Sequence, residues 1–359
     1  MKISIVSFTK NGMNLSKDLF QKLKDGDLEI FLYYKCSQIE EEKDISEDSP
    51  VRIRESMAEW TKSRMQEGSA LLFIGACGIA VRSIAPCITD KLQDVPVLVM
   101  DEKGKYIIPI LAGHVGGANE MAERIAGKMG ALPVITTATD QNDAFAVDLF
   151  AKRNHLAILN KEGIAKVSSK VLAGEKISIS IEEGHFLKQG IIPPNIVLVP
   201  PGKQKEVDVR IGTKIEGEKA QLFLCPKEYI IGIGCKKGKR EEQIAVWMEK
   251  NLKKWGINLY QVDALVSIDN KKEEEGLVCW SQKNRVPFYT YTAEELSTVN
   301  GHFTGSDFVK ETVGVDNVCE RAALYACLDG GRLICNKQSE DGMTIALAKK
   351  EWSITFDET

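Results

Sequence analysis

Residues 106–129, YIIPILAGHVGGANEMAERIAGKM, decide the fold. Tyr106–Leu111 is an apolar, strand-like run, and Ala118, Ala122, Ile125, Ala126 and Met129 then share one face of a helix at 3.6-residue spacing. Between them lies the turn Gly113-His114-Val115-Gly116-Gly117. A strand, a glycine turn and an amphipathic helix make up the repeating unit of α/β architecture. Such a turn aims backbone N–H groups and the positive end of a helix dipole at whatever sits above it, so it favours an anion.

The pattern recurs along the chain. Phe73-Ile74-Gly75-Ala76-Cys77-Gly78-Ile79-Ala80-Val81-Arg82 runs from a strand through small residues into a helix. Gly232-Ile233-Gly234-Cys235-Lys236-Lys237-Gly238 follows another apolar run and precedes a helix carrying Ile244, Trp247, Met248 and Leu252 on one face. Strands are expected at Ile3–Phe8, Leu28–Tyr33, Ala70–Ile74, Val95–Met100, Leu132–Thr136, Ile177–Ile181, Ile196–Val199, Tyr229–Ile233, Ala264–Ile268, Val286–Thr290, Arg332–Cys335 and Thr344–Ala348. The fold class is therefore α/β and multidomain, with largely parallel sheets flanked by helices and a separate C-terminal α/β domain. The expected division is an N-terminal α/β domain over 1–138, a middle segment and linker over 139–225, and a C-terminal α/β domain over 226–359. The polar, Pro- and Gly-bearing stretch from Pro200 to Lys219 reads as a connector or a small irregular hairpin.

Composition narrows the function. The 359 residues, 43% hydrophobic and 27% charged, support two or three ordinary cores. A net charge of -4 with only short basic runs argues against nucleic acid as partner and for a small molecule. The apolar stretch after Met1-Lys2 is too short for a signal peptide or a membrane span, so a cytoplasmic protein with no membrane partner is expected. Nine cysteines, odd in number and without a C-x-x-C pair, fit neither a disulfide framework nor a structural zinc site; Cys319 and Cys327 read as core filling.

Each chemistry-bearing residue has a plain structural alternative. The second turn approaches the dinucleotide fingerprint G-x-G-x-x-G, but its third glycine, Gly238, falls one residue late, which weakens a nucleotide reading. Lys236, Lys237, Lys239 and Arg240 beside a helix start call for an external anion or an acidic neighbour, or else form a solvated rim. His114, one of four histidines, sits in a turn rather than a core position, where it serves proton transfer or the turn itself. Asn119 and Glu120 are ligand contacts or first-turn helix residues. Cys77 at a helix start has no histidine beside it in sequence, so the small residues around it read as room for close approach to a ligand. Glu320 is a general acid or base, or the partner of Asn317 in a capping box; the cap is favoured. No H-E-x-x-H or G-x-S-x-G pattern is present, and His155 and His185 read as structural or surface residues.

Phe73–Arg82, Leu111–Glu120, Pro133–Asp140, Gly232–Gly238 and Val309–Leu324 together resemble the signature segments of the CbiG family of anaerobic cobalamin biosynthesis, over nearly the whole chain. Lys239 and Arg321 depart from it, standing where relatives commonly carry threonine and proline. The resemblance implies a cobalt-precorrin-5A hydrolase: water opens the δ-lactone of the ring-contracted macrocycle, and acetaldehyde leaves to give cobalt-precorrin-5B. For that reaction the residues themselves suggest His114 as base, with the backbone N–H groups of Gly116 and Gly117 as oxyanion or carboxylate donors, Asp140 to orient or supplement it, and Glu320 as a further catalytic candidate. Gly75, Cys77, Gly78, Arg82, Gly113, Gly116, Gly117, Asn119, Gly232, Gly234, Cys235, Lys236 and Lys237 are then expected to hold the carboxylate-edged tetrapyrrole, with the two glycine turns as walls of one cleft. The protein holds no metal or cofactor in this reading, because cobalt arrives in the substrate. A homodimer and transient contact with neighbouring pathway methyltransferases are compatible with it. The rival reading is a non-catalytic carrier of the same intermediate.

Overall fold

The computed structural model describes residues 1–24, 28–37, 49–90, 93–137, 145–182, 191–201, 206–213, 219–305, 311, 314–328 and 330–356. They form two compact units, Met1–Ala144 and Phe145–Thr359. The expected α/β architecture, with largely parallel sheets flanked by helices, is present in both.

The first unit runs β1 (Lys2–Ser7), α1 (Lys10–Leu23), β2 (Glu29–Tyr34), β3 (Val51–Arg52), α2 (Met57–Gln66), β4 (Ala70–Ile74), α3 (Cys77–Ile84), β5 (Val97–Met100), β6 (Tyr106–Leu111), α4 (Ala118–Met129) and β7 (Leu132–Pro133). Its seven strands are ordered β3-β2-β1-β4-β5-β6-β7, and every neighbouring pair is parallel except β5 and β6. Ala70–Ile74 is buried throughout because helices cover both faces of the sheet. Leu72 and Ile74 pack with Leu19 of α1 and Ile125 of α4, while Leu71 and Phe73 pack with Trp60 of α2 and Ile84 of α3. The strand order reverses between β1 and β4, the switch point at which doubly wound sheets open a crevice.

The second unit holds two five-stranded sheets. The first is built from α5 (Val147–Arg153), β8 (Leu156–Ile158), α6 (Glu162–Leu172), β9 (Ile177–Ile181), β10 (Ile196–Leu198), β11 (Val207–Ile211) and β12 (Ala220–Pro226), ordered β10-β9-β11-β12-β8. Where the sequence reads as a connector, β11 is instead a fully buried strand between β9 and β12. Its charged residues disguised it. Asp208 accepts from Lys170 Nζ at 2.7 Å and from Ser178 N and Oγ at 2.9 and 2.8 Å, and the Arg210 guanidinium donates to Ser180 Oγ at 3.3 Å.

The second sheet comes from β13 (Tyr229–Cys235), α7 (Glu241–Trp255), β14 (Val262–Ile268), α8 (Glu275–Asn284), β15 (Phe288–Tyr291), α9 (Ala293–Ser297), α10 (Cys319–Ala326), β16 (Arg332–Glu340) and β17 (Met343–Lys349), ordered β15-β14-β13-β17-β16. Trp247 and Met248 of α7 and Leu277 and Trp280 of α8 fill one face, and Ala322 and Ala323 of α10 lie on the other.

Polar and aromatic contacts tie the two sheets of this unit together. His155 Nδ1 lies 2.9 Å from Asp263 Oδ1, whose other oxygen accepts from Lys350 at 2.5 Å. Burial alone would push the Asp263 carboxyl up; His155 and Lys350 outweigh it and hold it below its ordinary value. Asn154 bonds the backbone of Thr355 at 2.7 and 3.0 Å, and Phe150 stacks on Phe356 at 4.9 Å. His155 is thus a fastening, in keeping with its structural reading. Among the described residues no helix is long and apolar enough to cross a membrane.

Candidate functional site

The His114 turn is built for compactness. Ala112 adopts φ 55° and Gly117 φ 87°, the latter capping α4 in the left-handed region that favours glycine. The turn closes through Gly117 N to His114 O at 2.9 Å, Ala118 N to Ala112 O at 3.1 Å and Asn119 N to Gly113 O at 3.0 Å. A Cβ on Gly116 would stand 2.3 Å from Ala112 Cβ, and one on Gly113 would stand 2.8 Å from Asn119 Oδ1. Asn119 is buried and donates to Thr137 Oγ1 at 3.0 Å, so it pins the turn to the segment after β7. Of the two expected backbone donors, Gly117 is committed to His114 O, while no described residue engages the N–H of Gly116. His114 is half-buried on this turn.

The Gly75–Arg82 turn lies elsewhere. In β4 and β5, Ile74 pairs with Met100, and in β6 the residue opposite Met100 is Ile107, while Leu111 pairs with Val97. The reversed strand β6 therefore delivers His114 to the edge where β4 and β5 begin, and Gly75 follows the edge where they end. Four to five residues of strand, roughly 15 Å, separate those edges. The expected grouping of Gly75, Cys77, Gly78 and Arg82 with His114 is thus not a local cluster. The sequence held a sign of the reversal in Asp101–Lys105: a short loop with Gly104 at φ 65°, in which Asp101 Oδ1 accepts from Lys105 N at 2.8 Å and Tyr106 N at 2.6 Å. At the Gly75 edge, Cys77, Gly78 and Arg82 are exposed, and the Arg82 guanidinium folds back beside Gly78. Thr9, after β1, donates to Glu102 Oε1 at 2.8 Å across the switch point.

In the second unit, Gly232 and Gly234 lie inside β13 rather than in a turn, which begins only after Cys235. Their small size has a packing cause. A Cβ on Gly232 would stand 1.8 Å from the Cys319 carbonyl oxygen, because α10 lies directly on the strand, and one on Gly234 would stand 2.7 Å from Thr344 Oγ1. Gly232→Ala is accordingly expected to cost about 3 kcal/mol or more of stability, read as a lower urea midpoint in the full chain.

The basic turn has its own acids. Gly238 N donates to Glu274 Oε1 at 2.6 Å, Lys271 Nζ lies 2.9 Å from Glu274 Oε2, and Lys239 Nζ lies 2.7 Å from Asp341 Oδ2. Burial pushes the Glu274 carboxyl up, but Lys271 and the Gly238 N–H overcome this and hold it below its usual value. The acidic-neighbour reading therefore accounts for Lys239, and Glu241 and Glu242 complement the first turn of α7. Lys236 and Lys237 remain exposed. Burial pushes the Cys235 thiol up, which opposes thiolate formation there.

Glu320 is fully buried, and protein donors fill all four of its lone-pair positions. Oε1 accepts from Thr304 Oγ1 at 2.9 Å and Lys337 N at 2.6 Å, and Oε2 accepts from Thr304 N and Asn317 Nδ2, both at 2.8 Å. Asn317 Oδ1 in turn accepts from Glu320 N at 2.8 Å. These bonds favour the structural reading of Glu320, as a clamp, over the catalytic one. Asp140 and His185 lie outside the described residues. Arg321 pairs with Asp316 at 2.8 Å and covers the Phe303 ring; it is in the first turn of α10, where the proline expected from the resemblance would be tolerated. Among the described residues no group of three or more His, Cys, Asp or Glu is arranged to hold a metal ion.

The fold and turns define a multi-module α/β protein with anion-favouring turns. Residues 59–140 match the family model described as cobalamin synthesis G N-terminal, and 229–348 match cobalamin synthesis G C-terminus. The chain is 35% identical over 291 residues to a cobalt-precorrin-5A hydrolase of Salmonella typhimurium, covering 78% of this chain and 81% of that protein. It is 31% identical over 362 residues to a cobalt-precorrin-5A hydrolase of Priestia megaterium, covering 96% and 94%. The chain belongs to the CbiG family.

Proposed function

We propose that this protein is a cytoplasmic cobalt-precorrin-5A hydrolase that opens the δ-lactone of its substrate and releases acetaldehyde, giving cobalt-precorrin-5B. The observation that carries the chemical assignment is the His114 turn, where a half-buried imidazole shares a helix start with the N–H of Gly116, which no described residue engages. His114 takes a proton from water as it adds to the lactone carbonyl, and the Gly116 N–H donates to the oxyanion that forms. Collapse of that intermediate frees a hydroxyl group and a carboxylate. Deprotonation of the hydroxyl breaks the adjacent carbon–carbon bond, so that acetaldehyde leaves, the electron pair passes to the macrocycle and a proton follows it there. This reading asks for no protein-held metal or organic cofactor, because cobalt arrives in the substrate.

Within the first unit the chemical step belongs to the His114 edge; the Gly75, Cys77, Gly78 and Arg82 turn, at the other edge, takes no part in it. The test is acetaldehyde trapping with purified protein and cobalt-precorrin-5A. Release in proportion to protein, over many turnovers, is the expected result. Stoichiometric corrinoid binding without acetaldehyde would identify a carrier instead.

A further inference from the structure

Asp94 is buried, with 7% of its surface exposed, in the turn that leads into β5. One carboxylate oxygen is well served: Oδ1 accepts from Thr89 N at 3.0 Å and Thr89 Oγ1 at 2.9 Å. Oδ2 is buried too, and no group among the described residues donates to it. A buried carboxylate oxygen without a donor is costly, by about 1–3 kcal/mol or more, so a protein that keeps one has a use for it. The loop contacts explain Oδ1 and leave Oδ2 unexplained.

The strand register points to that use. Val97 of β5 stands opposite Leu111 of β6. Asp94 precedes Val97 by three residues and His114 follows Leu111 by three, so both leave the same rung at the same edge of the sheet. Val95, next to Asp94, packs in one apolar cluster with Leu111.

We propose that Asp94 is the positioning carboxylate of His114. Its Oδ2 receives an imidazole N–H when His114 takes up a proton, which fixes the ring orientation and stabilises the imidazolium. Such contacts tighten in the substrate complex and are often long in the free protein. The proposal rests on the reading of His114 as the base. Other carboxylates on the flanking elements are Asp90 on the same turn and Glu120 in the first turn of α4; E120Q and D90N serve as charge controls.

Histidine NMR of the full-length chain at fixed pH tests it without reference to turnover. The protein has four histidines, and H114Q identifies the resonance of His114. Asp94→Asn keeps an acceptor for Thr89 and removes only the charge and the Oδ2 acceptor. The ring nitrogen shifts of wild-type His114 are expected to show one dominant tautomer, kept in T89V, D90N and E120Q and lost in D94N. In catalysis, D94N should lower kcat while leaving KM in place. An unchanged His114 tautomer balance in folded D94N overturns the proposal. Should D94N not fold, the wild-type nitrogen shifts decide: a free-imidazole mixture overturns the proposal. Failure of the function reading looks different, because H114A would then retain turnover whatever D94N does to the tautomers.

Discussion

Under the proposed mechanism, His114→Ala is expected to lower kcat for acetaldehyde release by roughly 10²–10⁴-fold, the usual contribution of a positioned general base, and to leave the fold intact. The fold survives because the turn is held by backbone bonds that do not need the imidazole: Gly117 N to His114 O, Ala118 N to Ala112 O and Asn119 N to Gly113 O. The glycines and Asn119 that shape the turn also remain. The variant should therefore bind the corrinoid and show wild-type circular dichroism and thermal unfolding. Steady-state trapping with cobalt-precorrin-5A checks the rate, and equilibrium binding separates loss of chemistry from loss of substrate. Wild-type turnover by a folded H114A protein would remove the base from the mechanism.

Much of this fold is legible in sequence where a strand is apolar on both faces. Ala70–Ile74 reads correctly at both ends, because helices on both faces leave no polar residue to blur the run, and Ile177–Ile181 reads correctly by its strict alternation of isoleucine and serine. Legibility fails where tertiary partners satisfy charge. Val207–Ile211 reads as a connector because Asp208 and Arg210 interrupt it, and only Lys170, Ser178 and Ser180, far away in sequence, make its burial affordable. Val51–Arg52 and Leu156–Ile158 are too short to show a period.

The site divides in the same way. The His114 turn is visible as a motif because its glycines and histidine are contiguous. Its place in the sheet is not, since one antiparallel strand carries it to the edge opposite Gly75–Arg82. In the second unit, Gly232 and Gly234 have the look of a phosphate-binding turn, yet they are strand residues kept small by the helix and the hydroxyl packed against them. The acids that answer the basic turn, Glu274 and Asp341, are remote in sequence and carry no local signature.

Glu320→Ala should destabilise the protein by more than about 4 kcal/mol, at the far end of single-substitution effects. The reason lies in the donors left behind. Thr304 N and Lys337 N are backbone groups that cannot turn away from the vacated position, and Asn317 Nδ2 and Thr304 Oγ1 also lose their acceptor. Glu320→Gln is the informative companion. It retains one oxygen but replaces the other by an NH2 group facing two donors, at a cost of about 2–4 kcal/mol. Guanidinium unfolding of both variants measures the loss, and acetaldehyde release is then normalised to the folded fraction. If Glu320 acts only by joining the Asn317 loop, the Thr304 segment and β16, E320Q turns over within about threefold of wild type per folded molecule. A variant as stable as wild type but inactive would return Glu320 to the chemistry. The filled lone pairs oppose that outcome, because a carboxylate already accepting four hydrogen bonds has no position from which to take a proton from substrate or water.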